Sequence, residues 1–124
     1  MIKDNSETRK KYDLADRTFR FSQDLLKLCR KIKQDNIVYP MISQLIRSGT
    51  SIGANYCEAD DAESRPDFKH KIGICKKESR EAKHFLRMSA VAVPDMKDHA
   101  RKLWVEAKEL NLIFNSIYKK LKDK

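Results

Sequence analysis

The sequence predicts an all-α fold, an antiparallel up-down-up-down four-helix bundle, and three observations predict it. Apolar or small residues recur at alternating steps of four and three along four segments, the spacing that lines one face of a helix against its neighbours. All three prolines, Pro40, Pro66 and Pro94, fall where that rhythm breaks, and a residue without an N–H is accommodated in the first turn of a helix. Strand-like alternation of apolar and polar residues is absent. Short connections between helices of similar length favour antiparallel neighbours.

The first helix is expected from about Asp13 to Lys33, with Leu14, Thr18, Phe21, Leu25, Leu28 and Ile32 on its seam. From Lys33 to Tyr39 the rhythm is lost, and Pro40 then sits in the first turn of a second helix reaching about Ala59. Its seam is Met41, Leu45, Ser48, Ile52, Asn55 and Ala59. Gly49 and Gly53 lie inside it, each costing about 1 kcal/mol relative to alanine, so close approach by a neighbouring helix is the expected compensation. Asp60, Asp61, Glu63 and Ser64 form a polar break before Pro66. Phe68, Ile72, Cys75, Ser79, Ala82, Leu86 and Ser89 then mark a third helix, and after Pro94 the residues Met96, Ala100, Leu103, Ala107, Leu110, Phe114, Ile117 and Leu121 mark a fourth.

At 124 residues the chain fits a single domain spanning residues 1–124, with a polar N-terminal tail over about residues 1–11. Charged residues make up 36% of it, which suits helices with solvated outer faces. The polar N-terminus lacks an apolar signal-peptide core, so a cytoplasmic location is expected. No apolar run approaches the roughly 20 residues that span a bilayer, and no membrane partner is expected. Cys29, Cys57 and Cys75 are odd in number and form no CxxC pair. That argues against a disulfide framework or a zinc site; Cys75 is expected in the core and Cys57 nearer the surface.

A formal net charge of +9 attracts polyanions, because Lys and Arg release condensed counterions when they neutralise phosphates. A solvated, lysine-rich surface accounts for the same charge. Two basic runs stand out, Lys27, Arg30, Lys31 and Lys33 on helix 1 and Lys76, Lys77, Arg80 and Lys83 on helix 3. With no RNA-recognition aromatic motif or helix-turn-helix, binding of RNA or DNA would be led by phosphates and shape. In an antiparallel bundle Arg9, Lys10 and Lys11 would meet Lys119, Lys120, Lys122 and Lys124 at one end, partly offset by Asp60, Asp61 and Glu63.

Apolar residues also stand off the seams: Tyr12, Phe19 and Leu26 on helix 1, Val105 and Leu112 on helix 4, and Ile74 and Met88 around Glu81 on helix 3. One bundle does not readily bury both sets, so these stripes are expected to make subunit contacts in a homo-oligomer, against the alternative of a wide core in a monomer.

Chemistry is sparse. Glu81-Ala82-Lys83-His84 gives a single Glu-x-x-His step, whereas carboxylate-bridged metal sites in bundles need a second copy; Glu106 and Glu109 on helix 4 have no matching histidine. His70 and His99 lack a nucleophile partner, and no phosphate-binding glycine loop is present. No catalytic residues, metal or cofactor are expected, and the chain reads as a non-enzyme.

The stretch Gln44 to Ala59 and the stretch Lys77-Glu78-Ser79-Arg80-Glu81-Ala82-Lys83-His84-Phe85-Leu86-Arg87, set in the four-helix rhythm, resemble the bacterial four-helix-bundle proteins encoded within 23S rRNA intervening sequences. Phe85 stands where relatives often carry tryptophan. The resemblance implies a barrel-like homopentamer, similar in fold to the accessory variability determinant proteins of diversity-generating retroelements, which associate with a reverse transcriptase and nucleic acid. It therefore implies a binding role, either for nucleic acid, structured RNA foremost, or as a protein-interaction scaffold for a nucleic-acid-processing enzyme. Arg47, Asn55, Glu58, Glu78 and Glu81 match the polar positions of the family motifs. Close to packed seams they must be hydrogen-bonded or paired where buried, with Arg47 or Arg80 as the available cations.

Overall fold

The computed structural model describes residues 13–122 and contains, among them, four helices and no strand. These are α1 (Leu14–Lys31), α2 (Val38–Asp60), α3 (Arg65–Ala92) and α4 (Lys97–Lys122), with a single 3₁₀ turn, Pro94–Met96, before α4. Tyr12, Arg9, Lys10, Lys11 and Lys124 lie outside the described residues.

The first three helix starts have a local cause. The Asp13 carboxylate accepts the Asp16 N–H at 3.1 Å and caps α1. Asp35 takes the Ile37 and Val38 N–H groups at 2.9 and 2.8 Å, so α2 begins ahead of Pro40, which occupies its first turn. Ser64 Oγ accepts from Asp67 N at 3.1 Å, with Pro66 in the first turn of α3. Helix α1 stops at Lys31, short of the expected Lys33, because Ile32 turns to extended backbone while its side chain stays in the core.

Helix α1 packs beside α2 and α4, and α3 beside α2 and α4, leaving α1 and α3 on one diagonal. Every adjacent pair is antiparallel: Thr18 faces Gly53 while Leu25 faces Gly49, Lys71 reaches Glu58 while Arg47 reaches Glu78, and Tyr118 meets Gly73 while Lys83 meets Trp104. The seam residues of all four helices form one core, including Leu25, Leu45, Ile72, Ala107 and Phe114, all fully buried. Seam positions near the bundle ends, among them Phe68, Met96 and Ile117, are half-buried.

The glycine expectation has a concrete form. A Cβ on Gly49 would collide with the buried Leu25 side chain, and one on Gly53 would stand 3.2 Å from Thr18 Oγ1. Backbone approach between α1 and α2 therefore offsets the helix-propensity cost. Thr18, Ser48, Ser79 and Ser89 are buried with their hydroxyls bonded to carbonyls of their own helices, which satisfies them within the core.

Candidate nucleic-acid interface

The basic run of α3 faces α4 across a crevice on the outer side of the bundle. Toward the α2–α3 connection its walls are Gly73, Lys76, Lys77, Arg80 and Lys83 from α3 with Asn111, Asn115 and Tyr118 from α4, enclosing about 550 Å³. The step of three and four along α3 puts Lys76, Arg80 and Lys83 on one line. Gly73 leaves room for the Tyr118 ring, whose edge would lie 3.1 Å from an added Cβ. Lys69 and Lys76 hold their ammonium groups 5.2 and 4.7 Å from the Tyr118 ring centre, a cation–π arrangement that keeps their charge at the crevice wall. Asn111 donates to Lys76 O at 2.8 Å and to Ser79 Oγ at 3.1 Å, fixing the two helices in register.

Beyond Lys83 the crevice changes character. Leu86, Ala90, Ala100, Trp104 and Val105 make a mostly apolar trough of about 580 Å³, edged by Arg87, Lys97 and Arg101. Lys83 and Lys108 place ammonium groups 5.8 and 5.6 Å from the Trp104 ring centre. The indole N–H is buried and meets no acceptor among the described residues, so the exposed part of Trp104 is carbon and π surface.

The positive charge of this face is not internally neutralised. Within the described residues Lys76, Lys77, Arg80, Lys83, Arg87, Lys97 and Arg101 form no ion pair, and Glu78, Glu81, Glu106 and Glu109 are engaged elsewhere. Glu106 accepts from Nε and Nη2 along one edge of the Arg17 guanidinium, at 2.7 and 2.9 Å, and Glu109 accepts from the same Nη2 at 2.7 Å. The hydrogen bond to Glu106 is the largest influence on Arg17, whose pKa is raised. Glu78 and Glu81 are both paired with Arg47. Burial would lower the Arg47 pKa, but the hydrogen bond to Glu81 and the charges of Glu78 and Glu81 together outweigh it and leave it raised. Asp95 and Asp98 remain exposed at the start of α4.

The sequence-predicted residues divide accordingly. Lys76, Lys77, Arg80 and Lys83 converge on the crevice. Lys27, Arg30, Lys31 and Lys33 are exposed on or just beyond α1, on the diagonal from α3, so the two basic runs are separate surfaces. Of the polar motif, Arg47, Glu78 and Glu81 come together across α2 and α3. Arg80 does not join them but opens onto the crevice. Asn55 instead bonds Ser51 in its own helix, and Glu58 pairs with Lys71 at 2.6 Å. Phe19, Leu26, Val105 and Leu112 are exposed; Ile74, placed with them by its spacing, is half-buried.

Spacing did not single out Arg17, Trp104, Asn111, Asn115 or Tyr118. Their partners lie on another helix, which spacing within one helix does not reveal. His84 is exposed against Phe85, and Glu81 is committed to Arg47, so the Glu-x-x-His step is split between two surfaces. No group of three or more potential metal ligands occurs among the described residues. Nor is any helix there long and apolar enough to cross a membrane.

Comparison with known proteins gives the same architecture. A crystal structure of a protein of unknown function from the S23 ribosomal protein family of Bacteroides thetaiotaomicron superposes with a TM-score of 0.74 at 30% identity. The match covers 85% of this chain and 97% of that one. No curated protein matches the chain. Residues 10–116, which include the α2 and α3 motifs and most of the crevice, match the 23S rRNA-intervening sequence protein family, and the chain belongs to that family.

Proposed function

We propose that this chain is a non-enzymatic, oligomeric nucleic-acid-binding protein whose α3–α4 crevice takes the phosphate backbone of RNA, with structured RNA the foremost candidate. The observation that carries this reading is the convergence of Lys76, Lys77, Arg80 and Lys83 on one groove with no carboxylate among the described residues paired to any of them. The amide side chain of Asn115 adds a donor suited to phosphate oxygens. Family membership supports a role connected with RNA without fixing one. Copies associated through Phe19, Leu26 and Leu112, with Val105 left to the trough, would repeat the crevice around an assembly, and repetition multiplies weak contacts into avidity.

Charge reversal tests the assignment. Lys77 and Arg80 are exposed, so Lys77→Glu and Arg80→Glu leave the aromatic packing of Lys76 and Lys83 intact. The double variant should keep its helicity and bind structured RNA at least tenfold more weakly at about 0.1 M salt. Unaltered affinity would remove this face from the account.

A second reading rests on a different surface. Ile37, Met88 and Val91 line one groove at the end of the bundle where α2 begins and α3 ends, and all are exposed, Ile37 and Val91 by 81% and 82%. Such a patch suits a protein partner, as expected of an accessory scaffold. Recovery of a partner after nuclease treatment would favour direct protein contact, whereas loss of the partner would point to an RNA bridge.

A further inference from the structure

We propose that the apolar half of the α3–α4 crevice seats an unpaired nucleobase, so that the crevice prefers single-stranded stretches of nucleic acid to continuous duplex. This rests on the nucleic-acid reading above and adds the form of polymer recognised. The two halves of the crevice are continuous through Lys83, which lines the basic half and holds its ammonium 5.8 Å from the Trp104 ring centre in the apolar half.

A hydrated phosphate gains nothing from the trough formed by Leu86, Ala90, Ala100 and Trp104. Duplex offers a groove of this kind little beyond its phosphates, because its bases are stacked inside. An unpaired nucleotide offers both chemistries at once, an anion for the lysines and a flat apolar face for the trough. Ala90 and Ala100, facing each other from α3 and α4, give the trough its depth, and its volume of about 580 Å³ leaves room for a base. Arg87, Lys97 and Arg101 carry positive charge along the edge beyond it, so the backbone meets cations on both sides of the seated base. With the indole N–H turned inward, contact is by stacking and is tolerant of base identity.

An uncharged apolar peptide would leave those cations unused. A second copy of this chain seated by its exposed Leu26 would bring further positive charge to the groove, Leu26 being bordered by Lys27 and Arg30.

Trp104 is the chain's one tryptophan, so its emission reports directly on the trough. The full chain, freed of nucleic acid, is titrated with a short oligouridylate, the matching single-stranded DNA, a blunt duplex and an abasic strand of equal charge. Both base-bearing single strands should quench Trp104 and bind about tenfold more tightly than the abasic strand. Stronger binding of the RNA strand would add the 2′-hydroxyl to the contacts, and equal binding would confine them to phosphate and base; both accord with the proposal.

Trp104→Leu, followed by anisotropy of a labelled strand, should erase the advantage over the abasic strand while keeping the abasic affinity. Ala90→Gln fills the trough without touching the indole and should give the same loss should Trp104→Leu fail to fold. Equal binding of duplex, abasic and base-bearing strands with unmoved emission would overturn the proposal and leave phosphate binding standing. Absence of binding by every polymer would overturn both. Emission that shifts with protein concentration alone would assign the trough to a second copy, again overturning it.

Discussion

Glu78 is a carboxylate with 6% of its surface exposed, and it remains compatible with the α2–α3 wall because the Arg47 guanidinium lies 3.3 Å away and spans to Glu81. Arg47→Ala would strand that carboxylate and should cost about 2 kcal/mol in urea unfolding, more than Glu78→Gln, which removes the charge together with the need for a partner. Equal losses would mean that the pair contributes packing rather than charge compensation. Gly49 is a second residue set by its neighbour. Alanine there gains about 1 kcal/mol of helix propensity but forces Leu25 from a fully buried site, so Gly49→Ala should come out destabilising by about 1 kcal/mol. Buried thiols add a pH dependence. Desolvation pushes Cys29 up to about 11 and Cys75 up to about 12, from an ordinary 9.0. Above about pH 9 the unfolded chain releases these protons while the fold keeps them. Stability therefore falls as pH rises toward about 11, by up to roughly 1.4 kcal/mol per pH unit for each thiol. Replacing both cysteines with alanine should flatten that part of the unfolding profile.

Helices were legible because burial follows one arithmetic progression. Leu14 to Leu28, Met41 to Ala59, Ile72 to Ser89 and Ala100 to Phe114 carry the core at the spacing read from the chain, with Asn55 alone less than buried among them. Boundaries depended on single side chains, and these too leave a trace in sequence: Ser64 before Pro66, Asp35 before Pro40. Ser64→Ala should lower stability by about 1 kcal/mol through loss of the α3 cap, measurable by thermal melting, since the Asp67 N–H would be left to water. The crevice was half legible. Its α3 wall is a periodic basic run, visible at steps of three and four. Its α4 wall consists of Trp104, Asn111, Asn115 and Tyr118, whose relation to that run depends on how α3 and α4 are registered. Spacing within one helix carries no register between two. For the same reason Arg80 was a candidate partner for the motif glutamates, whereas the rotation of α3 turns it outward and leaves Arg47 to serve both.

Across the whole molecule the net charge of +9 is distributed by pairing as much as by sequence. On the α1–α4 side Arg17 is consumed by Glu106 and Glu109, and Asp24 takes His99 at 3.0 Å. On the α3–α4 side the cations have no such partners among the described residues, so their positive charge stands open to a polyanion along the crevice. Exposed apolar residues on α1 and α4 supply the means to repeat that field in an assembly. The most direct test of the central claim is affinity of the nuclease-cleaned protein for structured RNA and duplex DNA across a salt series, with assembly mass measured in the same buffers. Four crevice cations predict an oligomer whose log affinity falls against log salt with a slope of about −3 to −4 per engaged crevice. Absence of binding at low salt, or affinity indifferent to salt, would contradict phosphate-led recognition and turn attention to the exposed cluster around Ile37 and Val91.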